Sequence, residues 1–169
     1  MSRISPKPLD QYPWTLRLLY WYQRRKYGEP LLPSLLWGRM PKLLMLFFGF
    51  IRFFERKKSP LDPVLRSRVM LRVSETNKCP FCIDINSSAL QQKNAGDPSA
   101  REECALFFAE AVTDTTKQVD DALFASLNEH FSEEEIAELA ALIAFQNMSS
   151  KFNSALNVEP HGFCKINRQ

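Results

Sequence analysis

Proline placement does most to constrain what this chain can fold into. Pro41, Pro63, Pro80 and Pro98 each head a run of helix-forming residues. Proline is tolerated at a first helical position because the N–H it lacks would be unpaired there anyway. Asp62 before Pro63 adds a side-chain cap, and Ser132-Glu133-Glu134-Glu135 is a capping box. These signals predict helices over 14–26, 41–57, 64–76, 80–96, 98–112 and 117–131. A long helix from 132 onward follows, with Ile136, Leu139, Ala140, Ile143 and Met148 mostly down one side. Strand signals are nearly absent: no sustained alternation of Val, Ile and Thr, and no Asn-Gly or Asp-Gly hairpin turn. The expectation is a single all-α domain of about seven helices. Residues 1–60 form an N-terminal helical extension, 61–158 a core, and 159–169 an irregular tail.

Of the 169 residues, 45% are hydrophobic and 24% charged, and 13 Phe against 5 Gly imply a substantial core, which excludes collagen-like and disordered chains. Four Cys are too few for a disulfide-stapled scaffold. The polar opening, 1–13, has three prolines and no apolar run before a cleavage site, so the expected compartment is the reducing cytoplasm. The net charge of +3 hides an asymmetry: residues 1–78 hold 16 Lys/Arg against 5 Asp/Glu, and 79–169 hold 6 against 14. The basic residues are interleaved with apolar ones and never run beyond three, so no nucleic-acid partner is expected. The apolar run 43–51, between Lys42 and Arg52, is only nine residues long. A membrane span needs roughly 20. A helix apolar on all sides is buried on all sides, which in so small a domain points to a homo-oligomer.

Cys79-Pro80-Phe81-Cys82 carries the chemistry. Cys-x-x-Cys places two sulfurs one helical turn apart, close enough to close a disulfide. With Pro80 at the first helical position, Cys79 is the N-cap, where free N–H groups and the helix dipole favour a thiolate. A peroxide oxidises one sulfur to the sulfenic acid and the other condenses with it. Glu75, Cys79, Cys82 and Asn86 share one face if helical character persists across the proline. A competing reading joins Cys79 and Cys82 to His161 and Cys164 as a zinc site, although 78 residues separate Cys82 from His161, against roughly 15–20 in familiar zinc modules. Cys104 reads as core and His130 as solvent-facing.

The stretch Leu71-Arg72-Val73-Ser74-Glu75-Thr76-Asn77-Lys78-Cys79-Pro80-Phe81-Cys82-Ile83-Asp84-Ile85 resembles the signature of the carboxymuconolactone decarboxylase superfamily, in its AhpD-like alkylhydroperoxidase branch. The segment from Phe131 through Gln146 to Phe152-Asn153 is similar to that family's closing helix. The resemblance covers about 60–158. It implies an all-helical fold assembled as trimers or hexamers. It also implies reduction of organic hydroperoxide or hydrogen peroxide by the Cys pair, with an external dithiol as reductant and no metal or other cofactor. The catalytic set it implies is Cys79, Cys82 and a proton relay. The family's relay His falls on Asn86 and its relay Glu on Ser67. Asn cannot act as a base, a role typically contributing about 10²–10⁴-fold, so Glu75, Asp84 or His161 is expected to substitute. The N-cap position favours Cys79 as the attacking sulfur, the family relay Cys82. A decarboxylase-type lyase and a non-enzymatic or zinc-binding member of the fold are the alternative functions.

Overall fold

The computed structural model describes residues 2–166. Nine α-helices and one 3-10 turn, and no strand, lie among the described residues, so the chain is all-α. Two compact units are present: one runs to Arg56 and takes in Leu156–Glu159, the other runs from Lys57 to Ala155 and resumes at Pro160.

The first unit holds α1 (Trp14–Tyr27), α2 (Leu32–Trp37) and α3 (Pro41–Phe54). The short α2, with Pro33 in its first turn, is an addition to the expected helices. It is tied to α1 by buried hydrogen bonds: Tyr20 Oη donates to the Ser34 carbonyl at 3.1 Å and Gln23 Nε2 to Ser34 Oγ at 2.8 Å. Gly38 after α2 is required, because a Cβ there would lie 2.0 Å from Tyr20 Oη. In the single chain α3 is buried only in part. Leu44 and Phe54 are buried, whereas Leu43, Leu46, Phe50 and Phe53 form an exposed stripe with Leu46 at 64%. No helix of the described residues is long and apolar enough to cross a membrane.

The second unit holds α4 (Pro63–Thr76), α5 (Pro80–Gln91), α6 (Ala100–Thr113), α7 (Asp121–His130), α8 (Glu133–Ala155) and α9 (Phe163–Ile166). Helix α4 lies at its centre, against α5, α6 and α8. Its buried Leu65, Val69 and Val73 recur at i+4 and meet Ala105 and Phe108 of α6 and Leu139, Leu142 and Ile143 of α8 in one core. The caps act as their residue types dictate. Asp62 accepts from Val64 and Leu65 N–H, and Ser132 and Glu135 bond reciprocally at 2.9 and 3.3 Å. Helix α6 begins later than Asp97-Pro98 suggests, because Ser99 with Glu102 makes a better capping box. Met148 is exposed, not on the buried side of α8. The tail contains a helical turn, α9, where an irregular segment was expected.

Candidate active site

Helix α4 ends at Thr76, and Lys78, at φ 51°, turns the chain before α5 begins. Cys79 N–H donates to the Ser74 carbonyl at 3.0 Å, which pins the turn. Asn77 braces it from outside, Nδ2 donating to Asn147 Oδ1 of α8 at 2.8 Å. Cys79 is the N-cap of α5, and its sulfur accepts the Cys82 N–H at 3.4 Å. The two cysteines are free thiols, 0% and 2% exposed, with sulfurs 2.6 Å apart and Cys79 as donor to Cys82.

Helix α8 supplies the surroundings. Its buried face is apolar at Ile136, Leu139, Leu142 and Ile143, then turns polar at Gln146, Ser150 and Asn153 as it reaches the cysteines. Asn153 Nδ2 donates to Cys82 Sγ at 3.3 Å. Gln146 Nε2 donates to Ser150 Oγ at 3.1 Å and to Ser74 Oγ at 3.0 Å. Asn86 Nδ2 also donates to Ser74 Oγ at 3.0 Å, and Ser74 Oγ passes its own hydrogen to the Met70 carbonyl.

These contacts divide the two thiols. The hydrogen bond from Cys79 lowers Cys82, burial opposes it, and donors on α8 (Asn153, Ser150 and Ser149) lower it further, to about 7. Cys79 moves the other way: its hydrogen bond to Cys82, burial and the Cys82 charge all hold its proton on. The N-cap contact to Cys79 is present but outweighed, because one N–H at 3.4 Å is set against the Cys82 sulfur 2.6 Å away. Reactivity towards a thiolate-selective electrophile is expected to rise with pH through a single midpoint near 7. A midpoint near the ordinary 9.0 would contradict this.

The other sequence-predicted residues lie elsewhere. Glu75 does not share a continuous helical face with Cys79, because the turn at Lys78 breaks it. Its side chain is 50% exposed and its carboxylate faces Arg72 at 3.7 Å. Asp84 is occupied: its carboxylate accepts backbone N–H from His161, Gly162, Phe163 and Cys164 at 2.6–3.1 Å. Burial raises this carboxyl, but the amides of Cys164, Phe163 and Gly162, with the Cys164 side chain, outweigh it and hold it below its ordinary value. The His161 ring lies against Phe163, with centroids 4.7 Å apart. Ser67 Oγ bonds back to the Pro63 carbonyl. Among the described residues no group of three or more His, Cys, Asp or Glu could hold a metal ion, so the Cys79, Cys82, His161 and Cys164 grouping is not assembled. Cys104 is buried beside Ser126 and His130 is exposed.

No family model matches the chain. The uncharacterized protein YnjA of Escherichia coli K12 is 40% identical over 173 residues, covering 94% of this chain and 95% of that one. A crystal structure described as an alkylhydroperoxidase AhpD core, an uncharacterized peroxidase-related protein from Ralstonia eutropha JMP134, superposes with a TM-score of 0.75 at 22% identity, covering 94% of this chain and 92% of the other. The chain belongs to the family of YnjA, and its fold is that of the AhpD core. The debrominase Bmp8 has the same fold, with a TM-score of 0.77 at 20% identity, covering 97% of this chain and 95% of that one. The positions onto which the resemblance places a relay pair, Asn86 and Ser67, make no hydrogen bond to each other: Asn86 ties α5 to α4, and Ser67 bonds within α4. Sequence reasoning assigned no role to Asn153, Ser150 or Gln146. The signal was present as polar residues at i, i+4 and i+7 interrupting an apolar stripe.

Proposed function

We propose that the chain is a thiol peroxidase in which Cys82 attacks a hydroperoxide and Cys79 resolves the product. The hydrogen bond from the Cys79 thiol to the Cys82 sulfur, at 2.6 Å, carries this reading, because it leaves the nucleophilic charge on Cys82 and a proton on its neighbour. The Cys82 thiolate forms a bond to the outer peroxide oxygen and the O–O bond breaks, giving a sulfenic acid and an alkoxide. The alkoxide takes the Cys79 proton and leaves as the alcohol. The Cys79 thiolate then displaces hydroxide from Cys82, solvent protonates the hydroxide to water, and the pair is left as a disulfide. An external dithiol reduces it, with no metal or organic cofactor and, in the proposed cytoplasmic setting, from a reducing pool.

The test is free-thiol counting on the reduced protein before and after about one equivalent of cumene hydroperoxide. Rapid loss of two thiols supports the reading, and no loss over about an hour sinks it. Glu75→Gln is expected to leave both the rate and its pH midpoint unchanged, since that carboxylate faces Arg72. A rate several-fold slower would restore Glu75 to the mechanism. A second electrophile is suggested by the likeness to a debrominase along nearly the whole chain. Two thiols could equally reduce a carbon–bromine bond to carbon–hydrogen, releasing bromide and the same disulfide, so 2,3,4-tribromopyrrole belongs in the same assay.

We further propose self-association through the exposed α3 stripe of Leu43, Leu46, Phe50 and Phe53. The protein is expected to elute well above 19.6 kDa on sizing; a clean monomer would refute this.

A further inference from the structure

Asn153 is 2% exposed, and its two amide atoms have different fates. Nδ2 donates to Cys82 Sγ at 3.3 Å, while Oδ1 is buried with no hydrogen-bond partner among the described residues. A buried acceptor left unpaired costs about 1–3 kcal/mol, so natural chains rarely leave one without a use. Turning the amide does not relieve it, because Nδ2 would then be the buried atom without a partner while Oδ1 took its place against the Cys82 sulfur. The orphan oxygen therefore sits about 2 Å from the nitrogen that holds the nucleophile, on the same rigid amide plane. A group donating a hydrogen to Oδ1 is placed beside Cys82.

A hydroperoxide is such a group: its outer oxygen carries the hydrogen and is the atom the sulfur attacks. We infer that Asn153 is a catalytic residue that holds Cys82 through Nδ2 and receives the peroxide O–H on Oδ1, setting the outer oxygen against the sulfur. This deepens the peroxidase reading and rests on it. The hydrogen stays on the transferred oxygen, so Oδ1 orients without taking a proton, and no basic side chain is required of Asn153. The donors that lower Cys82 from α8 (Asn153, Ser150 and Ser149) are neutral, which suits an uncharged substrate such as hydrogen peroxide or an alkyl hydroperoxide.

The test compares two electrophiles at a pH where Cys82 is fully ionised: hydrogen peroxide, which donates an O–H, and methyl methanethiosulfonate, which has no donor. In Asn153→Ala the rate ratio of peroxide to thiosulfonate should fall about tenfold, the equivalent of one hydrogen bond. The pH midpoint for thiosulfonate reaction should rise by about one unit, from loss of Nδ2. Asn153→Asp, which keeps an acceptor oxygen, should raise the midpoint but hold the ratio within about twofold. If the alanine variant fails to fold by circular dichroism, Asn153→Leu fills the site without an oxygen and carries the same expectation. An unchanged ratio in Ala or Leu, or a tenfold loss in Asp, overturns the assignment while the peroxidase reading stands. Wild-type thiols that survive hydrogen peroxide altogether would overturn both, and that result is distinct from any variant's.

Discussion

Cys82→Ser is expected to slow hydroperoxide-dependent thiol loss by at least about a thousandfold, because it removes the sulfur that attacks in the proposed mechanism. Cys79→Ser should behave differently. A serine hydroxyl can still donate to Cys82, so one thiol should be consumed at a rate within about tenfold of wild type. With no resolving sulfur the product stays a sulfenic acid, which dimedone traps as an adduct at Cys82, visible by mass spectrometry. Neither variant should form the disulfide. The reverse pattern, with Cys82→Ser still oxidised rapidly at Cys79, would return the attacking role to the N-cap sulfur. Cys104 and Cys164 are common to all forms and set the background of the count.

Asp84→Ala should release the C-terminal segment. Four backbone N–H groups, from His161 to Cys164, converge on this carboxylate from 77–80 residues away in sequence. Hydrogen bonds to a charged acceptor contribute about 1.5–3 kcal/mol each at best. The released amides regain water, so the net loss should be about 2–4 kcal/mol in urea unfolding. Hydrogen exchange of the His161–Cys164 amides should lose its protection in the same variant. Protection equal to wild type would show that Phe163, whose ring meets Phe81 at 6.1 Å, anchors the segment instead. Acid should mimic the substitution. The folded carboxyl lies below its ordinary 3.8, so the clamp contributes fully above that value and is lost as pH falls through the lower folded one.

Much of this could be read from local sequence because the deciding interactions are local. A cap satisfies N–H groups two or three residues away, which is why Asp62, Cys79 and Ser132 mark helix starts that the structure keeps. The one-turn spacing of Cys79 and Cys82 needs only the geometry of α5. Errors arose where an element depends on something outside its own turn. Helix α2 is six residues long and held by Tyr20 and Gln23 of another helix, so no periodicity announces it. The 163–166 turn exists because Asp84 collects its amides. Helical spacing aligns Glu75 with Cys79 only if the helix continues past Thr76, where it stops, and a left-handed Lys78 has no reliable signature of its own.

The sequence by itself determined an all-α chain, its main helix starts, and a pair of cysteines one helical turn apart. Each follows from hydrogen bonds and spacings within a few residues. The surroundings of each sulfur, the places of Glu75, Asp84 and His161, and the packing of the tail were decided only by tertiary structure. Asn153 and Ser150 come to Cys82 from about 70 residues away, Asp84 is claimed by amides beyond residue 160, and the turn at Lys78 carries Glu75 off the cysteine face. A thiol's ionisation is set by the groups around it: the largest lowering at Cys82 comes from Cys79 one turn away, and the further donors arrive from α8, a helix whose distance along the chain is unrelated to its distance in space.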